Sequence, residues 1–398
     1  MKRRYYSGRD FRRALTIEEL RRLAARRVPN FAFEYVEGGA EDELALTRNR
    51  LAFDQWRFVP KTLVNTEGRH ARTTLFGREL ALPVVIAPTG VNGMLTRDAD
   101  VKLARAAADA GIPFTLSTVS NARPDVVARE SGARLWMQLY WFRDPAIAAD
   151  VMRRAAEAEC EALMFTTDAN VFGHREWDKR SYRGPGQLTL RSVLDVACHP
   201  RWILDVMVPH GLPRFVNVAD FFPPEARSAK AGVTRIPALF TPTIDWDDVA
   251  RLRDTWKRPL IIKGPLDAGD VERAVRLGCE GVVLSNHGGR QLDACVTALE
   301  VLPEIASAFG SRITILIDGG IRRGSDIAKA IALGAHAVMV ARATLYGVAA
   351  GGEAGARHAI GILASELDRV LGQLGCRSLA DLSPSMLRPG APTAPARP

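Results

Sequence analysis

The stretch GVVLSNHGGRQLD, Gly281–Asp293, decides how the fold is read. Val282 to Leu284 is a short β-branched run of the kind that forms a buried strand, and it gives way at once to Ser285, Asn286, His287, two glycines and Arg290. A polar cluster therefore sits at the C-terminal end of a strand. Paired glycines let the backbone turn tightly and let a planar ligand come close, while a His and an Arg three residues apart can both face that ligand. An imidazole beside a guanidinium suits the small organic acids. An isolated His is more often a hydrogen-bonded structural group, but the neighbours of this one favour chemistry.

Outward from that stretch, the same grammar repeats. Apolar, β-branched runs at 83–89, 114–118, 135–140, 163–168, 260–264, 282–286, 313–318 and 337–342 alternate with helical stretches such as 98–110, 145–159, 268–277, 299–309 and 324–333. Eight βα units closed on themselves make a TIM (β/α)8 barrel, an α/β fold whose sites lie at the C-terminal ends of the strands. Those ends carry Thr89, Ser117 and Thr118, Gln138 and Tyr140, Thr166 and Asp168, Lys263, Asn286 and His287, Asp318, and Arg342. Any one of these could be a solvated strand end; together they form a site-sized collection facing one mouth.

The domain division follows. Residues 1–80 read as an N-terminal extension covering the barrel, 81–382 as the barrel, and 383–398, rich in proline, as a disordered tail. Residues 17–27 look like an amphipathic helix capped by Thr16, and 31–36 like a second helix ending at Gly38 and Gly39, with Tyr35 just before that stop. Residues 51–82 read as loops and short strands. The connection after strand four, about 169–241, is far longer than an ordinary βα loop. It holds GHRE and then an apolar, aromatic segment, 194–222, which fits an active-site lid, a subunit contact, a membrane-resting surface or an ordered surface excursion.

At 398 residues with 47% apolar and 25% charged residues the chain can bury a sizeable core. No apolar run is long enough to span a membrane, and the N-terminus lacks the apolar stretch of a secretory signal. The five cysteines are scattered with no CxxC spacing, which indicates neither a disulfide framework nor a zinc site and fits a reducing, cytoplasmic compartment. The net charge of +9 is partly concentrated in residues 1–27, with ten Lys/Arg against three Asp/Glu. Such a bias suits an anionic membrane surface or solubility; without a nucleic-acid motif, nucleic acid ranks last. An early GxGxxG, the mark of an NAD-binding Rossmann unit, is absent.

These residues carry a resemblance. SNHGGRQLD at 285–293 looks like the active-site signature of the FMN-dependent α-hydroxy acid dehydrogenase and oxidase family. FEYVEGGAEDE at 33–43, APTG at 87–90, QLY at 138–140, TTD at 166–168, GHRE at 173–176, IKG at 262–264 and DGGIRRGSD at 318–326 fall in the family's order. LSTVSN at 116–121, CHPRW at 198–202 and RATLYG at 342–347 resemble its membrane-associated mandelate and lactate dehydrogenase branch.

The resemblance implies an FMN across the barrel mouth. Its phosphate would lie at Asp318, Gly319, Gly320 and Arg322 with Ala341 and Arg342, and its ring edge at Thr89, Ser117, Gln138, Thr166 and Ser285. Lys263 would sit where negative charge appears on two-electron reduction. Arg290 and Arg175 would clamp a substrate carboxylate, Tyr35 and Tyr140 would orient it, and His287 would be the base, with Asp168 stabilising the imidazolium. The implied reaction converts an L-2-hydroxy acid to a 2-keto acid and hands electrons to a quinone-type acceptor from a peripheral membrane position, in a homotetramer. Alternatives are an oxidase releasing hydrogen peroxide and a lactate-preferring enzyme. Val119, where several oxidases of the family carry a bulky aromatic, implies room for a phenyl ring as in mandelate. Gly90, where oxidases commonly carry Ala, resembles the dehydrogenase branch, and Ala341 replaces a usual Gly.

Overall fold

The computed structural model describes residues 5–184, 186–208, 211–222 and 239–390. Eight short strands, β1 (Val84–Ile86), β2 (Phe114–Leu116), β3 (Leu135–Leu139), β4 (Ala162–Thr166), β5 (Leu260–Lys263), β6 (Gly281–Leu284), β7 (Thr314–Ile317) and β8 (Ala337–Val340), coincide with the eight runs seen in the sequence. They form a closed parallel barrel in which β8 returns to β1, with Val338 opposite Val84 and Val340 opposite Ile86. Each strand is covered outside by helices and filled inside by side chains, which is why the runs are apolar throughout rather than alternating.

The barrel interior is packed, not open. Val85, Met164, Ile261, Val283, Leu316 and Met339 fill it, and a hairpin, Thr73–Leu75 with Arg78–Leu80, seals the N-terminal mouth through Leu75 and Leu80. Phe76 at the hairpin tip meets Trp136 with ring centroids 5.6 Å apart. With that end sealed, a ligand can enter only from the C-terminal mouth.

Three helices precede the barrel: α1 (Ile17–Arg27), α2 (Asn30–Glu37) and α3 (Leu44–Asp54). Thr16 caps α1 by accepting from the Glu19 N–H at 3.2 Å, and α1 packs along the helical segment Arg342–Leu374. That segment breaks at Gly351 and Gly352, so it is two helices in sequence. The structure departs from expectation in α3. Loops were expected from 51 onward, yet the helix runs to Asp54, because Ala45, Asn49, Ala52 and Phe53 form a buried face. It also adds helices at Pro124–Ser131 and Trp246–Thr255.

The tail also differs. Pro384–Met386 forms a 3-10 turn, and Leu387–Pro389 pairs antiparallel with Trp56–Phe58, Trp56 lying opposite Pro389. Met386 and Leu387 are 3% exposed; two apolar anchors inside a proline-rich stretch hold it to the fold. The remainder of that tail, 391–398, lies outside the described residues. So does 223–238 of the long connection after β4. The described part of that connection carries helices Glu176–Arg180 and Leu190–Ala197, and a helical turn, Pro200–Trp202, running into Ile203–Met207.

Candidate active site

A cavity of about 740 Å³ opens at the C-terminal mouth, within the usual size of a small-molecule site. Its wall includes Tyr35 from α2, Thr89 after β1, Ser117 after β2, Tyr140 after β3, Arg175 from the long connection, and Lys263 at the end of β5. His287 and Arg290 follow β6, Asp318, Gly319, Gly320 and Arg322 follow β7, and Ala341 and Arg342 follow β8. Asp168, Gln138 and Ser285 stand one layer behind and bond groups that line the cavity, and Thr166 stands behind Gln138.

The reactive corner is built on strained backbone. His287 sits at φ +56°, the left-handed region that a non-glycine residue rarely adopts, and its N–H donates to Ser285 Oγ at 2.9 Å. Gly289 continues the turn at φ +77°, where a Cβ would lie 2.5 Å from the Leu46 backbone nitrogen. Gly289 is thus a steric requirement of α3's close approach, while Gly288 holds the turn at φ +63°. His287 Nδ1–H donates to Asp168 Oδ1 at 2.9 Å, which leaves Nε2 as the free lone pair. Burial pulls His287 below its ordinary value near 6.5; Asp168 opposes and Lys263 reinforces that pull, so the imidazole is neutral at pH 7. Burial works to raise the Asp168 carboxyl, but His287 and Lys263 outweigh it and hold Asp168 ionised.

Lys263 is 4% exposed and donates to Ser285 Oγ at 2.7 Å, with Asp318 Oδ2 at 3.0 Å. Burial alone would discharge it; Asp318 and Asp168 reverse that and raise the ammonium. On the opposite wall, Ser117 Oγ donates to Gln138 Oε1 at 3.1 Å and Gln138 Nε2 donates to Thr166 Oγ1 at 3.0 Å, a chain that fixes the amide's orientation.

The two guanidinium groups lie together. Arg290 NH1 donates to the Gly38 carbonyl at 2.6 Å and the group lies 5.3 Å from the Tyr35 ring centre, while Arg175 Nε donates to the Arg290 carbonyl at 3.2 Å. Burial first and Arg290 second pull Arg175 down to about 10, so it remains charged at neutral pH. Burial raises the Tyr35 and Tyr140 phenols, which keeps both as O–H donors. Arg342 spends its fork on carbonyls: Val36 at 2.8 Å, Gly288 at 2.8 Å and Gly38 at 3.0 Å.

The sequence reading did not single out several groups that the structure brings to this site. Gln291 ties the loop carrying Arg175 to the loop carrying His287, donating to the Asp168 carbonyl at 2.7 Å and accepting from Gly173 N–H at 3.0 Å. Phe240 stacks at 5.0 Å on Tyr140 and 4.8 Å on Phe172, and with Phe215 and Val119 makes one wall apolar. Asp178 also lines the cavity. Phe215 and Phe240 lie far along the chain from any strand end, and no local pattern marks them.

Residues 24–389 match the family model of the FMN-dependent dehydrogenases. The chain belongs to the FMN-dependent dehydrogenase family. Among its relatives, the (S)-mandelate dehydrogenase of Pseudomonas putida is 42% identical, over 94% of this chain and 93% of that one. An L-lactate dehydrogenase of Pectobacterium atrosepticum is 39% identical over 93% and 95%. A crystal structure of monotopic membrane protein (S)-mandelate dehydrogenase superposes with a TM-score of 0.90 at 40% identity, covering 95% of this chain and all of that one.

This FMN-dependent dehydrogenase is a 2-hydroxy acid oxidoreductase of the mandelate and lactate type, and its cavity fits the cofactor. Thr89 Oγ1 and Asp318 Oδ1 are buried without a partner, as polar groups awaiting a ligand would be. Gly319 and Gly320, at φ +89° and +82°, curl after β7 against Asn49, and only glycine fits there, since a Cβ on Gly320 would collide with the Asn49 carbonyl. Such a turn presents backbone amides to an anion, with Arg322 beside it.

Proposed function

We propose that this dehydrogenase oxidises L-2-hydroxy acids bearing a phenyl-sized side chain to 2-keto acids and passes the electrons to a quinone in the membrane. The observation that carries the substrate reading is the apolar wall of Val119, Phe215 and Phe240 in the same cavity as the guanidinium pair. A mandelate-like molecule offers a match to each: a ring and a carboxylate.

The roles follow from the groups. Arg290 and Arg175 hold the carboxylate, for which a guanidinium offers parallel hydrogen bonds. Tyr35 and Tyr140 donate to the substrate's oxygens and fix which hydrogen faces the base. His287 takes a proton at Nε2, and Asp168, ionised at 2.9 Å from Nδ1, stabilises the imidazolium. The Gln138 chain, Thr89 and the glycine turn with Arg322 would hold the FMN, and Arg342, whose Nε, NH1 and NH2 each donate to a carbonyl, braces the loops around it. When bound, FMN supplies the two-electron acceptor that no side chain here provides. Lys263, charged by its ion pair with Asp318, favours added negative charge in the cavity.

The membrane reading rests on the long connection. Leu190, Val193 and Leu194 are 72%, 49% and 60% exposed on one helix, and Leu204 and Val208 on the next helical segment and just after it are 64% exposed each. Among the described residues no helix is long and apolar enough to cross a membrane, and a peripheral contact accords with that. A homotetramer is part of the same proposal, read by light scattering.

The test is anaerobic mixing of the holoprotein with (S)-mandelate and, separately, L-lactate, following the flavin absorbance, and then admitting air. Faster bleaching by mandelate with slow recolouring in air is the expected result. Faster bleaching by lactate would overturn the substrate reading. Fast recolouring would make it an oxidase.

A further inference from the structure

Two carboxylates line the cavity among the described residues. Asp318 is matched by Lys263 at 3.0 Å. Asp178 is different. It lies on the short helix Glu176–Arg180, one turn beyond Arg175, and its Oδ2 stands 3.6 Å from Arg290 NH2, too far for a hydrogen bond and close enough for a strong charge contact. Its Oδ1 is buried with no partner. Burial raises its carboxyl, against the lowering influence of Arg290, Arg175 and Arg342. An acid in so poor a setting is costly to retain.

Asp178 is also not what orients the clamp. Arg290 is held by its short bond to the Gly38 carbonyl and by the Tyr35 ring, and Arg175 by the Arg290 carbonyl. What Asp178 changes is the charge. Two guanidinium groups facing a low-dielectric cavity carry a double positive charge; one ionised Asp178 leaves a single positive charge. Glu34 on α2 and Glu43 at the start of α3 add to the same negative field.

We propose that Asp178 sets the clamp to accept one carboxylate, so that the site selects monocarboxylic 2-hydroxy acids and rejects those with a second carboxylate. This rests on the reading that Arg290 and Arg175 bind the substrate carboxylate. A second anionic group held at the clamp meets the Asp178 charge, whereas an apolar side chain does not.

The probes are oxalate and oxamate, which match in size and differ by one negative charge, titrated into the FMN-loaded enzyme and followed by perturbation of the flavin absorbance. Asp178→Asn keeps the shape and removes the charge; the oxalate-to-oxamate affinity ratio should rise about tenfold over the parent enzyme. Asp178→Glu keeps the charge, and its ratio should stay at the parent value. An unchanged ratio in Asp178→Asn overturns the proposal, including the case where both anions weaken equally, as a merely structural role would give. If Asp178→Asn fails to load FMN, Asp178→Ser is read by the same ratio. Arg290→Lys, run in parallel, should weaken both anions. If it leaves both untouched, the clamp reading itself fails, whatever the ratio does.

Discussion

Replacing Asp168 with Asn tests the charge logic of the reactive corner. The amide is nearly isosteric and its oxygen can still accept from His287 Nδ1–H, so the imidazole keeps its place while losing its counter-charge. A full ion pair at 2.9 Å is worth on the order of 6 kcal/mol at an effective dielectric near 20. Part of that is recovered by the retained hydrogen bond, which leaves a loss of about 3–5 kcal/mol in stabilising the imidazolium as the proton arrives. The expected fall in the rate of anaerobic flavin bleaching is roughly 10²- to 10⁴-fold. The pH dependence gives an independent sign. His287 is held below 6.5 by burial and Lys263 and is pulled back up by Asp168. It acts as a base when neutral, so activity is full above its pKa and lost as pH falls through it. Without Asp168 that pKa drops further. The acid limb of kcat/KM should therefore move to lower pH while the plateau falls. Stopped-flow bleaching across pH 5–8, with FMN content checked, reads both. A loss under about tenfold with FMN retained, or an acid limb that moves upward, would refute the assignment.

Gly90→Ala places a Cβ 2.6 Å from Val119 Cγ2 and 3.1 Å from the Val119 carbonyl, so that wall must give way. The mandelate-to-lactate ratio of kcat/KM should fall about tenfold, as measured in steady-state assays. Lys263→Met removes the buried positive charge and strands Asp318, so the flavin's two-electron potential should become more negative by about 30 mV or more in a spectroelectrochemical titration. Leu204→Ser with Val208→Ser should shift the protein toward the soluble fraction in vesicle co-sedimentation, by about tenfold, without changing bleaching by substrate in detergent.

The barrel was legible because buried parallel strands have a simple signature: eight short β-branched runs, each ending in a polar residue, with helical stretches between several of them. His287, Arg290, Lys263 and Asp318 were legible for the same reason, since strand ends are where that pattern breaks. Asn49 and α3 were not. The helix buries Ala45, Asn49, Ala52 and Phe53, and a polar Asn in the middle of that face with an exposed Leu44 off it blurs the apolar periodicity. Phe215 and Phe240 could not be assigned to the cavity because a long connection delivers them, and the rules of helix and strand do not predict where it returns. Asp178 is visible in the sequence as one acid among several near GHRE. Only the 3.6 Å approach to Arg290 and its partnerless oxygen distinguish it.

The pairing of Leu387–Pro389 with Trp56–Phe58 has a practical reach beyond the tail itself. Trp56 lies two residues beyond α3, whose Asn49 backs Gly319 and Gly320 and exchanges hydrogen bonds with Asn286 at 2.9 and 3.0 Å. A few residues near the far end of the chain thus brace the helix that shapes the phosphate turn. Clipping them, or burying them under a fusion partner, would loosen cofactor retention at a distance, and the preparation would lose its yellow colour before it lost its fold.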